Sequence, residues 1–471
     1  MREKCLKTEL EEILKPVGQE HLLRFWDELS ESEQKGFTEE LKSVKWPKVC
    51  MSVREVLQNK NKSIPFEKLR PAPYVSLNAK PDYLAQCKER GEKLLSEGKV
   101  AGFTVAGGQG TRLGYSGPKG TYCFTELGHK SLFQVFAEGI LRHQEKCGHV
   151  LPWYIMTSSM NDQATRDFFV EHQYFGLEPA NVTFFSQGML PAFDLNGKAI
   201  LRTKSSLAFS ANGHGGSFAA LHDSGALADM KKRGVEILSY WQVDNALVNQ
   251  FDATFIGMHS ITESEMSSRA LIKRSPLEKL GHFCMLDDKM IIVEYSDMPE
   301  NLLYQQDKNE LLSYRAGSPA IHILNCEFIE RLTNGVLDFK LHRALKKVPF
   351  VDAEGVEHKP DKPNAIKLES FLFDALPLAK NPLVFEGNRA EQFAPIKNAE
   401  GEDSPESCRK AMQERAIAWY EQTERTFPRY DDGSPAAVIE LSPKRAVDAE
   451  DGVSFFEKRP AIQFGDCLNL E

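Results

Sequence analysis

The nine cysteines of this chain stand singly, at 5, 50, 87, 123, 147, 284, 326, 408 and 467, and no C-x-x-C pair occurs among them. That spacing argues against a zinc ribbon, a redox dithiol and a disulfide framework alike. Long apolar runs are lacking too: no stretch of 18 apolar residues is present, so no membrane-spanning helix is expected. The first residues, Met1-Arg-Glu-Lys-Cys5, lead into charged helical sequence and not into an apolar leader, and a cytoplasmic location is expected. Excess positive charge is absent. With 58 Lys and Arg against 67 Asp and Glu the formal charge is −9, which speaks against generic binding to nucleic acid or anionic lipid. A site for an anionic substrate must therefore gather its cations locally.

Glycine is what the chain does concentrate. After a short apolar run, Val100 to Val105, glycines follow at 107, 108, 110, 114, 117 and 120, with Thr111, Arg112 and Lys119 among them. The run reads as a buried strand, and the glycines let backbone amides pass close to a ligand and point at phosphate oxygens. Thr111, Arg112 and Lys119 add a hydroxyl and two positive charges, which suit a polyphosphate. Neither familiar signature fits: Gly108, Gly110 and Gly114 give G-x-G-x-x-x-G in place of the dinucleotide G-x-G-x-x-G, and G-x-x-x-x-G-K-[ST] is absent. A hydride-transfer enzyme and a P-loop ATPase both lose ground, and a tight surface loop would not need so many glycines beside Arg and Lys.

A chain of 471 residues, 41% hydrophobic, has room for roughly three units. Residues 1–95 read as a helical lead-in, with Leu22, Phe25, Trp26 and Leu29 at helical spacing and Ser30-Glu-Ser-Glu33 as a capping box. Such stripes are core far more often than binding surface, so this region is assigned a scaffold role. Residues 96–400 read as the catalytic domain. Between about 98 and 260 the strand-like runs Val100 to Val105, Trp153 to Thr157, Val182 to Phe185 and Val235 to Val243 alternate with helices from about Ser131, Asp162 and Gly216. This alternation predicts an α/β fold with a central mixed, mainly parallel sheet flanked by helices. Ligands of parallel sheets lie beyond the carboxyl ends of the strands, where the glycine loop and Asp244-Asn245 would converge. Asn364 to Leu378 reads as a helix ended by Pro377, with Ile366, Leu368, Phe371 and Leu372 turned inward. Residues 401–471 open with a helix from Ser404 towards Glu424 and continue with the strand Val438 to Leu441 and a turn at Gly452, as a small β-containing region. Cys123, close to the glycine loop, is expected to be packed inside.

The run Gly107-Gly-Gln-Gly-Thr-Arg-Leu-Gly114 followed by Pro118-Lys-Gly120 resembles the signature of the eukaryotic-type UDP-sugar pyrophosphorylases, above all those acting on UDP-N-acetylglucosamine. Further segments follow in the same order: Gln187-Gly-Met-Leu-Pro191, Asn212-Gly-His-Gly-Gly216, Val243-Asp-Asn245, Val293-Glu-Tyr-Ser296 and Ala394-Pro-Ile-Lys-Asn-Ala399. The resemblance implies a nucleotide-diphospho-sugar transferase fold of Rossmann type. It also implies a Mg²⁺-assisted reaction in which an oxygen of a sugar 1-phosphate attacks the α-phosphorus of UTP and expels pyrophosphate. Such transfers need positioning and charge neutralisation more than a covalent nucleophile.

By the same resemblance Val105, Gly107, Gly108, Thr111, Gln187 and Gly213 bind the nucleotide, and Arg112, Lys119 and Lys397 are catalytic. His214, Glu294 and Ser318 then face the sugar, and Asp244 holds the metal. The residue types agree, since a carboxamide such as Gln187 can pair with a uracil edge and a strand-end carboxylate is a hard ligand for Mg²⁺. Taken alone, several read otherwise: Asp244 as the N-cap of a helix over Ala246 to Phe251, Asn212 to Gly216 as a turn, Glu294 as an exposed strand carboxylate, and Lys397 as solvated surface. Substrate choice departs from the acetylglucosamine pattern, with His214 and Ser318 standing where those enzymes carry Asn. N-acetylglucosamine 1-phosphate is the expected sugar, with glucose 1-phosphate or a broad sugar range as the alternative. From another class, a catalytically silent nucleotide-sugar binder is opposed by the intact Arg112, Lys119 and Asp244.

Overall fold

The computed structural model describes residues 2–58, 64–334 and 341–471. The chain divides into two compact units, one made of Met1–Phe66, Gln187–Ser217 and Asp338–Asp374, the other of Glu67–Ser186, Phe218–Leu337 and Ala375–Glu471. The first unit is thus discontinuous: two later excursions of the chain join the amino-terminal helices.

In the first unit, helices Arg2–Leu14, Glu31–Ser43 and Trp46–Gln58 are joined by 3-10 turns at Glu20–Leu23 and Trp26–Glu28. The capping box is present, with the Glu33 amide donating to Ser30 Oγ and the Ser30 amide donating to the Glu33 carboxylate. Leu22 to Leu29 do not form the continuous helix their spacing suggests. The two short turns break at Phe25, whose backbone leaves the helical region, yet residues three apart still share one side of a 3-10 turn and the apolar stripe stays buried. Leu14, Trp26, Phe37 and Trp46 pack with Phe193, Leu201, Ile366 and Leu368 in one core.

The expected helix over 364–378 is instead a strand, Ala365–Glu369, followed by a 3-10 helix, Leu372–Leu378, that contains Pro377. The strand pairs antiparallel with His342–Lys346 on one side and with Phe193–Asp194 on the other. Burial alternates along Ile366, Lys367, Leu368 and Glu369, a period of two that the strong helix formers in this segment obscure.

The second unit carries an eleven-stranded sheet. In chain order its strands are β1 (Arg70–Pro71), β2 (Val100–Val105), β3 (Trp153–Thr157), β4 (Val182–Ser186), β5 (Ile237–Gln242) and β6 (Met266–Ile272). They continue with β7 (Gly281–Leu286), β8 (Lys289–Val293), β9 (Ala316–Ser318), β10 (His322–Asn325) and β11 (Leu383–Glu386). The order across the sheet is β1-β7-β9-β6-β10-β5-β2-β3-β4, with β8 added to β7 and β11 to β6. Strands β5, β2, β3 and β4 run parallel, whereas the side built from β1, β7, β8, β9 and β10 pairs antiparallel. Buried along almost their whole length, β2 and β3 are mostly apolar and uncharged, as expected of strands covered on both faces. Helices Pro81–Ser96 and Ala253–Ile261 touch backbone to backbone: a Cβ on Gly91 would fall 1.8 Å from the Ala253 carbonyl oxygen, and one on Gly257 1.7 Å from that of Cys87.

At the carboxyl-terminal end of the chain, helix Pro405–Glu421 starts at the Ser404 cap, and strands Val438–Leu441 and Cys467–Leu470 pair in parallel. Gly452 is not a turn. It lies within helix Ala449–Glu457, where a Cβ would come 2.4 Å from the Trp419 ring, so the glycine serves close helix packing. This segment is tied to the rest of its unit by the Glu440 carboxylate, which accepts the amides of Leu127 and Gly128, and by a two-pronged Arg142–Asp451 pair at 2.9 and 3.0 Å. Cys123 is exposed and not packed inside, although the chain on either side of it, Thr121 and Phe124, is buried.

Candidate functional site

Past Val105 the chain turns beyond the carboxyl end of the parallel strands. Two backbone bonds close the loop, Gly110 N–H to Gly117 O at 2.9 Å and Lys119 N–H to Gly108 O at 3.0 Å. The buried Asn161 fixes its base: Nδ2 donates to Ala106 O at 3.0 Å and Gly108 O at 3.3 Å, while Oδ1 accepts the Ser158 amide at 2.8 Å. The glycines do two different jobs here. Gly108 is exposed, a Cβ on it would meet nothing within 4 Å, and neither its amide nor that of Gly107 finds an acceptor among the described residues. Gly120, by contrast, is buried with a Cβ position 2.1 Å from the Phe133 ring. The first kind leaves room for a ligand and the second leaves room for the core.

Lys119 is buried at the far end of the loop, where Nζ donates to the Ile396 carbonyl at 3.1 Å and lies 3.9 Å from Asp244 Oδ2. Burial holds its pKa below the ordinary lysine value; Asp244 opposes that shift, while Arg112 and Lys397 add to it. Three cations and a carboxylate therefore share one electrostatic neighbourhood. Thr111 and Arg112 stand exposed on the loop's 3-10 turn, Thr111–Leu113.

Asp244 lies in the turn that follows β5, and its carbonyl accepts the Ile396 amide at 2.8 Å. No helix starts at Ala246; the next begins at Ala253 and is capped by Asp252, so Asp244 is not a helix cap. Its neighbour Asn245 fastens the 390s segment from both ends of its carboxamide, donating to Gln392 O at 2.8 Å and accepting from Ala394 N at 3.0 Å. That clamp, with the Lys119–Ile396 bond, brings Lys397 next to the loop. The Lys397 ammonium lies 3.8 Å from Asp403 Oδ2.

Gln187, Gly213 and His214 come together within the first unit. Strands Met189–Pro191 and Phe209–Ala211 pair antiparallel with Met189 opposite Ala211, and the Asn212 amide extends the ladder to Gly188 O at 3.2 Å. Continued by two residues, that register sets Gln187 opposite Gly213. Gly213 adopts φ +79°, and a Cβ there would fall 2.3 Å from Ser370 O, so no other residue fits. His214 Nδ1 accepts the Leu372 amide at 3.1 Å, with the Phe371 and Phe373 rings 5.4 and 5.9 Å away. Burial lowers its pKa to about 4. The neutral imidazole thus carries its proton on Nε2 and offers a donor.

Glu294 and Ser318 form a separate group on the antiparallel side, flanking Gly281. Ser318 pairs with Gly281 in register, and the Gly281 Cβ position lies 3.5 Å from Glu294 Oε1. Strands β6 and β10 stand between this group and β5. Two residues of the site escaped the sequence reading, Asn161 and Asp403, and neither carried a motif. Asn245 was placed beside Asp244 at the end of a predicted strand, but its hold on the 390s segment was not foreseen.

A loop of unpaired amides, clustered cations and a strand-end carboxylate at the carboxyl edge of a parallel sheet defines a nucleotidyltransferase. The chain belongs to the UTP–glucose-1-phosphate uridylyltransferase family, whose sequence profile matches residues 49–444. It is 35% identical over 481 residues to the UDP-N-acetylhexosamine pyrophosphorylase-like protein 1 of Xenopus tropicalis, covering 95% of this chain and 93% of that protein. It is 34% identical over 435 residues to the UDP-N-acetylglucosamine pyrophosphorylase of Saccharomyces cerevisiae, covering 88% and 91%. In fold it matches the crystal structure of the uridine diphosphate N-acetylglucosamine pyrophosphorylase from Trypanosoma brucei, with a TM-score of 0.80 at 24% identity over 96% of this chain and 95% of that one. Among the described residues no helix is long and apolar enough to cross a membrane.

Proposed function

We propose that the chain catalyses uridylyl transfer from UTP to a sugar 1-phosphate, with N-acetylglucosamine 1-phosphate as the preferred acceptor, in the cytoplasm. One observation carries the reading: the open amides of Gly107 and Gly108 stand on the same loop as Arg112 and Lys119, with Lys397 and Asp244 beside them. An oxygen of the sugar phosphate forms the new bond to the α-phosphorus, the bond to the bridging oxygen breaks, and pyrophosphate leaves with that electron pair. The attacking oxygen is already anionic, so no protein base is needed. What the chain supplies is alignment and positive charge where negative charge gathers. Amides of the loop and Thr111 cradle the triphosphate, Lys119 and Arg112 neutralise it, and Lys397 meets the phosphate from the 390s segment. Within the first unit, Gln187 and the Gly213 backbone offer groups that can read the base and His214 Nε2–H a donor for the sugar; within the second, Glu294 and Ser318 offer groups for sugar hydroxyls.

Magnesium fits the donor set. Among the described residues no three His, Cys, Asp or Glu side chains cluster to hold a metal alone, and Asp244 is a single hard carboxylate, which suits an ion that takes most of its ligands from phosphate and water. Bound there, Mg²⁺ would supply charge neutralisation to the triphosphate.

The test is pyrophosphate release with UTP and, in turn, N-acetylglucosamine, glucose and galactose 1-phosphates, with and without Mg²⁺. Metal-dependent release favouring the acetylated sugar is expected, and Lys119→Ala should lower turnover at least about tenfold, as for loss of a transition-state charge contact. Equal rates on all three sugars would defeat the narrow assignment, and no release at all would make the chain a silent binder. His214→Asn together with Ser318→Asn should sharpen the preference for the acetylated sugar, since carboxamides pair with an acetamido group more fully than imidazole and hydroxyl do.

A further inference from the structure

The segment from Lys397 to Asp403 folds back on itself. The Asp403 carbonyl accepts the amides of both Lys397, at 2.6 Å, and Asn398, at 3.0 Å, and Asn398 Nδ2 donates to Glu402 O at 2.9 Å. Closing so short a loop requires φ +76° at Gly401 and φ +55° at Asp403 itself, a conformation that Asp and Asn tolerate better than other side chains. The closure returns the Asp403 carboxylate to within 3.8 Å of the Lys397 ammonium. A second alternation of charge results: Lys119 faces Asp244, Lys397 faces Asp403, and the two pairs are joined where Lys119 binds the Ile396 carbonyl. Without Asp403, the Lys397 ammonium, 5.8 Å from the centre of the Phe393 ring, would still be repelled by Lys119 and is exposed enough to swing away, at 32% of its side-chain surface.

We propose that Asp403 is the positioning residue that holds Lys397 beside the phosphate-binding loop. It acts twice, through its carbonyl, which shapes the backbone of Lys397, and through its carboxylate, which fixes the ammonium. The inference rests on the assignment of Lys397 to phosphate made above. Burial pushes the Asp403 carboxyl upward in pKa, Lys397 opposes that shift, and Asp244 adds to it.

The experiment is a double-mutant cycle on the full-length protein, with pyrophosphate release from UTP and N-acetylglucosamine 1-phosphate as readout. Asp403→Asn keeps the backbone and the left-handed conformation and removes only the charge. It should lower kcat about tenfold or more, as a misplaced phosphate contact does, with the thermal midpoint unchanged within about 2 °C. Lys397→Met should show a similar or larger loss. In the Lys397→Met background, Asp403→Asn should cost less than about twofold, because its effect runs through the missing ammonium. An equal loss in both backgrounds would overturn the proposal, as would full activity of Asp403→Asn alongside an impaired Lys397→Met. Full activity of Lys397→Met would strike down the phosphate assignment itself, and the positioning role with it.

Discussion

Alanine at Gly108 and alanine at Gly120 should act in opposite ways. At 108 a methyl group meets no protein atom within 4 Å, and φ is not left-handed, so the folded state accepts it freely. Restricting the unfolded chain then stabilises the protein by about 0.4–1 kcal/mol. On the proposed reading the same methyl would stand where a phosphate oxygen approaches the Gly107 and Gly108 amides. Loss of one charge-assisted bond there costs about 1.5–3 kcal/mol, or about tenfold to a hundredfold in UTP affinity. At 120 the methyl falls 2.1, 2.2 and 2.6 Å from three atoms of the Phe133 ring, a ring itself buried against Trp153 and Phe169. Overpacking of that kind destabilises by about 1–3 kcal/mol. Urea unfolding gives the stability change and titration calorimetry with UTP gives the affinity. Gly108→Ala should be at least as stable as the parent and bind UTP poorly. Undiminished UTP affinity in that variant would refute the cradle.

Two further outcomes follow from buried polar groups. Burial lowers the pKa of His143, His214 and His282 to about 4 and that of His259 to about 3. Each is neutral when folded and takes up a proton near pH 6.5 when unfolded, so stability is full above about 6.5 and is lost as pH falls towards 4, by up to about 1.4 kcal/mol per pH unit for each group. Unfolding free energies that match at pH 7 and pH 5 would contradict this. Arg269 is buried between the Phe255 and Phe385 rings, at 4.1 and 4.6 Å, and pairs with Asp252 at 2.6 Å. Arg269→Ala should destabilise by about 3–5 kcal/mol because Asp252 keeps its bonds to the Phe255 amide and Gln392 but loses its counter-charge, with Asp252→Asn in the same chain restoring part of the loss; no change in the unfolding midpoint would show the pair to be dispensable.

The parallel half of the sheet was legible in the sequence because its strands are covered on both faces. Val100 to Val105 and Trp153 to Thr157 therefore carry mostly apolar side chains and no charge. Where only one face is covered the signal weakened. Lys367 and Glu369 alternate with Ile366 and Leu368 in a strand, but they are also good helix formers, and long-range pairing with His342–Lys346 decided the matter. Gly452 read as a turn because its reason for being glycine, the Trp419 ring, lies on another helix. Within the site, the loop and Asp244 were visible through their motifs. Asn161, Asn245 and Asp403 act through contacts with backbone atoms distant in sequence, or through a loop closure that composition does not announce.

On the proposed reading, the arrangement around Lys119 also answers how a chain of net charge −9 would accept a polyphosphate. The free protein holds three cations close together with one of them buried, and that costs energy: burial and the neighbouring charges all push the Lys119 pKa down, with Asp244 alone opposing. A triphosphate entering this group brings the opposite charge to all three at once, so a repulsive cluster becomes a neutralised one. Because Lys119 is buried, a contact to its ammonium is worth more than one on the surface. Asp244 faces the buried Lys119, whereas Asp403 faces Lys397, which is partly exposed to water. Neutralising Asp403 should therefore disturb the place of one solvated ammonium and leave the fold intact.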